Sequence, residues 1–126
     1  MLTLLLTAAL CLGCLTGCVS NALPDGYDEI TVTAIAELTV EYINDGDYEG
    51  LAGLCAEASG LTAESIGAAA DKATGDKGGF AGFGSVKLGA DSGNARAVVR
   101  AEYENGTVEY ILVLNSGYEI TSLKIK

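Results

Sequence analysis

The chain has 126 residues and a formal net charge of −10, because 17 Asp and Glu outnumber 7 Lys and Arg. This length allows one small domain plus a targeting segment, and the acidic balance predicts repulsion from nucleic acid and from anionic lipid head groups. The sequence contains no His, which removes the usual neutral-pH general base and the commonest zinc ligand, so we expect no cofactor and no metal.

The first twenty residues read as a targeting segment, MLTLLLTAALCLGCLTGCVS. The apolar run is short for a membrane span and suits the core of a signal peptide. Leu15-Thr16-Gly17-Cys18 resembles the lipobox of bacterial lipoproteins, whose cysteine is acylated and becomes the first mature residue. The sequence therefore predicts a signal peptide over 1–17, lipid on Cys18, and anchoring to the cell envelope on the extracytoplasmic side. An uncleaved anchor or a plain signal peptide is the alternative.

Lipidation would leave one free thiol in the mature chain. Cys11 and Cys14 would be removed with the signal peptide and Cys18 would carry lipid, so Cys55 has no disulfide partner. With no His to activate it, Cys55 is interpreted as a small buried hydrophobe rather than a nucleophile.

Residues 18–28 are predicted to be the lipidated cysteine and a polar tether, and 29–126 the folded domain. A helix is predicted from about residue 29 to 44, with Ile35, Leu38 and Tyr42 on one face. Asn44-Asp45-Gly46 is a typical helix end, with Gly46 in the left-handed conformation.

The stretch NDGDYEG raises the question of a calcium site. Asp45, Asp47, Glu49 and Gly50 match the first half of an EF-hand loop, but the twelfth position is Ala56 instead of the required Glu. Residues at helical spacing follow at once: Leu51, Leu54, Cys55 and Ala58. We therefore expect a corner between two helices, with Asp47 as the N-cap of the second.

A third helix is predicted from its cap, Thr62, with these residues inward: Ile66, Ala69, Ala70 and Ala73. Beyond Phe80 the pattern predicts antiparallel strands. Asn105-Gly106 is a strong hairpin signal that would pair Tyr103 with Val108 and place Ala101 opposite Tyr110.

This register predicts the two faces of the sheet. Glu102 would lie opposite Glu109, and a second two-residue turn at Ser116-Gly117 would bring Lys124 beside Glu109 to relieve the repulsion. Leu123 and Ile125 would then enter the core. A cluster of apolar residues would remain outside as a candidate dimer face: Val98, Ile111, Val113 and Ile120. The alternative is that a terminal segment or the curvature of the sheet covers them.

Four segments carry a family resemblance: Tyr42–Tyr48 at the first corner, Leu61–Glu64 at the start of the third helix, Gly79-Phe80 at the entry to the sheet, and the last strands, 108–114 and 118–125. Through their order and spacing, residues 29–126 resemble domain of unknown function 3887, in the nuclear-transport-factor-2-like (SnoaL-like, cystatin-like) superfamily.

The resemblance implies an α+β fold, with about three N-terminal helices packed on a curved four-stranded antiparallel meander that forms a cone. It also implies frequent dimerisation through the convex face, and it supplies no catalytic residues. Four aromatic residues are candidates to line a pocket, although aromatic residues at core spacing are usually core: Tyr42, Phe80, Tyr103 and Tyr110.

The function predicted first is a non-catalytic, membrane-tethered module that binds an unknown protein or small molecule, with a homodimer through the sheet face. The alternative is an isomerase- or cyclase-like enzyme with its site in the cone, as found elsewhere on this fold. Such chemistry needs a buried carboxylate base. Glu37 and Glu41 lie four residues apart on the first helix, where we expect them to be its solvated side.

Overall fold

The structure is a computed structural model that describes residues 23–126; the predicted signal peptide and Cys18 lie outside the described residues. The helical elements are α1 (Glu29–Asp45), α2 (Tyr48–Ala52), a 3-10 turn (Glu57–Ser59) and α3 (Ala63–Thr74). The strands are β1 (Phe80–Asp91), β2 (Asn94–Tyr103), β3 (Gly106–Leu114) and β4 (Ile120–Ile125). They pair antiparallel in the order β1-β2-β3-β4. The predicted α+β class, with helices followed by a four-stranded meander, is confirmed.

The predicted helix caps are confirmed at three positions. Gly46 ends α1 with φ 74°, and its N–H donates to the carbonyl of Ile43 at 3.1 Å. The Asp47 carboxylate accepts from the Gly50 N–H at 3.0 Å and so caps α2, which makes the corner a helix junction. Thr62 caps α3 through a reciprocal pair of hydrogen bonds with Ser65.

The buried face of α1 differs from the predicted one. The core side is formed by five residues: Val32, Ala36, Thr39, Val40 and Ile43. Ile35 and Tyr42 pack at its border, whereas Leu38 is 37% exposed. The apolar spacing favoured the large side chains, but the buried face includes the smaller Ala36 and Thr39. The Thr39 hydroxyl donates to the Ile35 carbonyl at 2.9 Å, which satisfies this buried polar group.

The second helix ends at Ala52 instead of continuing to Ala58. The chain after it pairs with the start of β4: the Ala56 N–H donates to the Ile120 carbonyl at 2.8 Å, and the Ile120 N–H donates to the Leu54 carbonyl at 3.0 Å. These long-range hydrogen bonds outweigh the helix propensity of the segment, so the helix ends early. In α3, Ile66 and Ala70 are buried as predicted, while Ala69 is exposed.

The β2–β3 register is two residues away from the prediction. Tyr103 lies opposite Gly106, so the turn residues are Glu104 and Asn105. The segment before β1 holds this turn, since the Glu104 N–H donates to the Gly79 carbonyl at 2.9 Å and the Asn105 N–H donates to the Lys77 carbonyl at 2.7 Å. A shift of two residues keeps every side chain on its predicted face, because side chains alternate along a strand.

The same shift changes the charge pairs. Glu109 lies opposite Arg100, and Glu102 lies opposite Thr107, so the predicted repulsion between the two glutamates does not arise. Lys124 lies opposite Ile111, while the backbone of Lys126 pairs with that of Glu109. The prediction for Lys124 was therefore wrong by two positions.

Ile120 is on the opposite face from the one predicted. The β3–β4 connection is longer than a two-residue turn, with the Asn115 side chain accepting from the Gly117 and Glu119 N–H groups. The register then shifts between Val113 and Leu114. This bulge turns Ile120 into the core, where it is 0% exposed. Leu123 and Ile125 pack against the core as predicted.

The folded domain extends into the predicted tether. Leu23 and Tyr27 pack against the core. The Tyr27 hydroxyl donates to the Leu114 carbonyl at 3.0 Å, and its ring contacts Tyr118 edge-on with centroids 5.8 Å apart. The predicted boundary at residue 29 was therefore too late, because Tyr27 supplies both an apolar ring and a polar tip.

Candidate functional site

Three of the four predicted pocket residues are brought together on one side of the sheet. Phe80 starts β1, Tyr103 ends β2, and Tyr110 lies in the middle of β3 on the same side of the sheet. The Phe80 ring packs edge-on against Tyr103 with centroids 5.6 Å apart. These three aromatic residues form the candidate site, on the side of the sheet that faces the helices.

A chain of hydroxyl groups runs from the core to the surface within this site. The Tyr103 hydroxyl donates to Asn44 Oδ1 at 2.7 Å. It also bonds the Tyr110 hydroxyl, which must then be the donor of that bond because the Tyr103 proton is already used. Tyr110 is 0% exposed, whereas Asn44 is at the surface. We call Tyr110, Tyr103 and Asn44 the hydroxyl chain.

Burial sets the protonation of the hydroxyl chain. Desolvation raises the pKa of Tyr110 far above its ordinary value, and its hydrogen bond to Tyr103 raises the pKa further. Burial also raises the pKa of Tyr103. Both hydroxyls are therefore neutral hydrogen-bonding groups at neutral pH, and neither is poised to act as a base.

The outer part of the site is an exposed aromatic surface. Phe83 packs edge-on against Phe80 with centroids 5.2 Å apart. A register shift between Phe80 and Gly82 brings Phe80 and Phe83 to the same face of β1, although an odd separation would ordinarily put them on opposite faces. Phe80 remains 36% and Phe83 37% exposed. We call these two rings the aromatic edge.

Tyr42, the fourth predicted pocket residue, lies outside the candidate site. Its ring lies against Gly50 at the corner between α1 and α2, where an added Cβ would come within 2.7 Å of Tyr42 Cε1. Tyr42 is thus a partly buried residue that packs at this corner.

A shallow open depression of about 470 Å³ lies nearby, and it is lined by Gly46, Asp47, Tyr48, Glu49, Ala63 and Glu64. None of the four predicted pocket residues is in that lining.

The candidate dimer face is brought together in part. Val98 and Ile111 are directly opposite each other, and Val113 is two residues along the same face of β3. We call the side of the sheet that carries them the outer face. Val98 and Ile111 are half-buried and Val113 is 9% exposed. Ile120 is not part of this face, because the β-bulge turns it inward.

The pKa of Glu37 differs from that of a fully solvated carboxylate. The pKa of Glu37 is raised, first by burial and then by repulsion from Glu41. Glu37 is half-buried, so the expectation that both residues are fully solvated is corrected for Glu37, while Glu41 is exposed. Seven residues separate Glu37 from Asn44, which corresponds to about 10.5 Å along the helix axis.

The last two candidates from the sequence are the Cys55 thiol and a metal site. Cys55 is half-buried, its sulfur lies 3.5 Å from the Leu51 carbonyl, and burial raises the pKa of its thiol. Within residues 23–126, no group of three or more Cys, Asp or Glu side chains is placed to hold a metal ion. Over the same residues, no helix combines the length and the apolar composition that a membrane crossing needs.

The sequence did not reveal two residues of the site, Asn44 and Phe83, or the contact that Tyr48 makes outside the site. Asn44 was read only as a helix end, and nothing in its neighbourhood indicates that it accepts from a tyrosine 59 residues away. Phe83 was missed because strict alternation puts it on the other face; the Gly82 and Gly84 flanks were the available signal for a bulge. Tyr48 packs its ring on Gly67 of α3, and a glycine inside a helix was the corresponding signal.

Comparison with known proteins gives no match: no family model, no curated protein and no solved structure matches the chain.

Proposed function

We propose that the chain is a non-catalytic lipoprotein, held outside the cytoplasmic membrane by lipid on Cys18, that binds a protein partner through the aromatic edge. The proposal includes the nuclear-transport-factor-2-like cone and the resemblance to domain of unknown function 3887. The observation that carries it is the exposure of Phe80 and Phe83, whose rings pack edge-on against each other. Adjacent large aromatic rings at a surface are typical of binding sites.

The hydrogen bonds of the interior support binding rather than catalysis. Tyr110 is completely buried, and its hydroxyl is already bonded to Tyr103. Across residues 23–126, every buried side-chain nitrogen and oxygen has a hydrogen-bond partner. A catalytic pocket ordinarily contains polar groups left for the substrate.

The position of the aromatic edge suits an extended partner. β1 is the edge strand of the sheet, and no described strand pairs with its outer side. Edge strands present free N–H and C=O groups that an added strand can bond, while side-chain pockets supply specificity. Phe80 and Phe83 would contact apolar side chains of such a partner.

The homodimer through the outer face stays a prediction. Val98, Ile111 and Val113 still share that face, but the loss of Ile120 reduces its apolar area. Arg96 and Arg100 are on the same face, and their charges would oppose those of a second copy in a face-to-face dimer.

Two measurements test the proposal. The mass of the native polypeptide from bacterial membranes should correspond to a chain that starts at an acylated Cys18; retention of Met1 or an unmodified Cys18 would contradict the anchor.

A photo-crosslinking phenylalanine analogue at Phe83 should capture a specific partner, whereas the same analogue at Ile30 should not. Ile30 is a suitable control because it is 78% exposed but lies on α1. Equal capture at both positions would contradict the binding site.

A small-molecule isomerase- or cyclase-like enzyme is the second candidate, and the raised pKa of Glu37 is the observation that favours it. In such an enzyme a substrate would replace Asn44 as the acceptor of the Tyr103 hydroxyl, and Glu37, about 10.5 Å from Asn44 along the helix axis, would be the base. Tyrosine ring signals in NMR spectra distinguish the two functions during titration with a planar cyclic ketone such as cyclohexenone. Shifts confined to Tyr103 and Tyr110, and lost in Tyr110→Phe, would favour the enzyme; unchanged signals would exclude a ketone site at the hydroxyl chain.

A further inference from the structure

The outer face of the sheet collects most of the positive charge of this acidic chain. The sequence has 7 Lys and Arg, and the strand registers put five of them on the outer face: Lys87, Arg96, Arg100, Lys124 and Lys126. Three carboxylates share it: Asp91, Glu102 and Glu109. Of the 17 Asp and Glu, fourteen are therefore elsewhere, with only two lysines among them. The molecule has a cationic face and a strongly anionic remainder.

The five cations of the outer face exceed its three carboxylates and form no ion pair with them in the described residues. Arg100 is directly opposite Glu109 in the sheet, yet their side chains do not form an ion pair. In the part of the chain that the structure describes, the ion pair that forms joins Lys77 to Asp76 at 3.5 Å, away from this face. The five charges therefore remain available to an external anion.

The outer face also has an apolar centre. One row across the four strands reads Lys87, Val98, Ile111, Lys124, so two half-buried β-branched residues lie between two exposed lysines. Surfaces that lie on lipid bilayers combine such a centre with lysines whose aliphatic stems cover apolar surface and whose amines reach the head groups.

The tether keeps the whole domain near lipid, a step that rests on the proposed lipidation of Cys18. Leu23 already packs against the core, so the five residues from Cys18 to Leu23 reach at most about 17 Å. The tether is a limit on distance and leaves the domain free to approach the bilayer to within one Debye length, about 8 Å at physiological ionic strength. Within that distance an anionic bilayer repels the acidic side of the domain and attracts the outer face.

We propose that the outer face docks on the anionic lipid surface to which the chain is tethered. The expectation from net charge alone, that anionic head groups repel the protein, then holds for the acidic remainder and not for the outer face. Docking directs the helix side of the sheet, with the aromatic edge, away from the bilayer and toward a partner. A face-to-face second copy is the competing occupant, but it would bring together two faces on which cations outnumber carboxylates.

Four of the five lysines in the described residues provide an internal test. The native lipidated protein is reconstituted into neutral phosphatidylcholine vesicles and into vesicles that also contain phosphatidylglycerol, and a membrane-impermeant amine reagent is added. In anionic vesicles, Lys87 and Lys124 should be modified several-fold more slowly than in neutral ones. Lys72 and Lys77, away from the outer face, should react at the same rate in both.

Matched variants separate charge from other causes. Arg96→Gln with Arg100→Gln should abolish most of the protection of Lys87 and Lys124, since each cation near an anionic surface contributes about a fivefold effect. Lys72→Gln with Lys77→Gln removes the same charge from the opposite region and should leave the protection unchanged. Circular dichroism confirms that each double variant is folded, and raising the salt concentration should reverse the protection in the native chain.

Several outcomes would overturn the proposal. Equal protection in neutral and anionic vesicles, or protection that follows protein density, means that protein covers the outer face. Equal reactivity of all four lysines means that nothing covers it. Failure of the anchor is scored separately, by the mass of the chain and by its flotation with neutral vesicles, so the two proposals fail independently.

Discussion

Tyr103 is the residue on which the hydroxyl chain depends. It accepts from the fully buried Tyr110 and donates to the surface residue Asn44. The two tyrosines differ in what their removal leaves behind. Loss of the Tyr110 hydroxyl leaves Tyr103 still bonded to Asn44, whereas loss of the Tyr103 hydroxyl leaves a buried donor without its acceptor.

We therefore expect Tyr103→Phe to reduce the free energy of unfolding more than Tyr110→Phe does. An unsatisfied buried polar group costs about 1–3 kcal/mol, while an ordinary hydrogen bond contributes about 0.5–1.5 kcal/mol. Urea unfolding of both variants and of the double variant measures the difference. Equal losses, or a larger loss for Tyr110→Phe, would show that the donor order is the reverse.

At the scale of the elements, long-range contacts decide the ends of α2 and the start of β4. Ile120 bonds the segment after α2 through both its N–H and its carbonyl, and its side chain is enclosed by the core. Val98 has the same β-branched character but lies on the outer face, where the neighbouring strands cover it only in part.

Because Ile120 is enclosed by the core and Val98 is only partly covered, replacing each by Ala should lower the free energy of unfolding by different amounts. Ile120→Ala should lower the free energy of unfolding by about 2–5 kcal/mol, since it removes buried methyl and methylene groups and leaves a cavity. Val98→Ala should cost less than about 1 kcal/mol, because part of that side chain is already in water. Chemical denaturation checks both. Similar losses would mean that Ile120 is on the outer face after all.

The junction between α1 and α2 depends on one backbone conformation. Gly46 has φ 74° and no atom within 4 Å of an added Cβ, so Gly46→Ala tests backbone strain without steric clash. We expect a loss of about 1 kcal/mol, the cost of a left-handed non-glycine residue. Gly89→Ala is the control, since Gly89 also has open space and no positive φ. Thermal unfolding should show a lower midpoint for the first variant only.

At the scale of the whole molecule, a net charge of −10 conceals two surfaces of opposite sign. Side chains along a strand alternate between the two faces of the sheet. None of the Lys and Arg of β2 and β4 lies on the core side. All of these cations therefore accumulate on the outer face. Helix starts and turns hold most of the carboxylates, because anions are favoured near helix N-termini.

The stability of the whole domain should fall in strong alkali. The ordinary pKa of tyrosine is 10.0, and burial raises the pKa of both Tyr103 and Tyr110 in the folded state. The folded state thus holds these protons more tightly, so their contribution is complete below pH 10 and is lost as the pH rises beyond it. Tyrosinate absorbance should report delayed ionisation followed by cooperative unfolding, and the Tyr110→Phe variant should show a shallower decline in stability. Ionisation of all tyrosines near pH 10 without unfolding would contradict this.

Local chemistry by itself determined the α+β class, the order of elements, the caps at Gly46, Asp47 and Thr62, and the faces of β2 and β3. These features depend on side chains a few residues apart and on the alternation of strands, so a one-dimensional pattern contains them. Only the tertiary structure decided the β2–β3 register, the inward turn of Ile120 and the early end of α2. Each depends on hydrogen bonds between residues far apart in the chain: Asn105 with Lys77, Ala56 with Ile120.

The candidate site divides in the same way. Phe80, Tyr103 and Tyr110 were recognisable as inward aromatic residues, and Val98, Ile111 and Val113 as outward ones. The partners Asn44 and Phe83, and the collection of five cations on one face, were not recognisable, since they follow from registers and bulges that bring distant residues together. A sequence pattern specifies which side a residue faces, whereas its neighbours across the sheet are set by the packing of the whole chain.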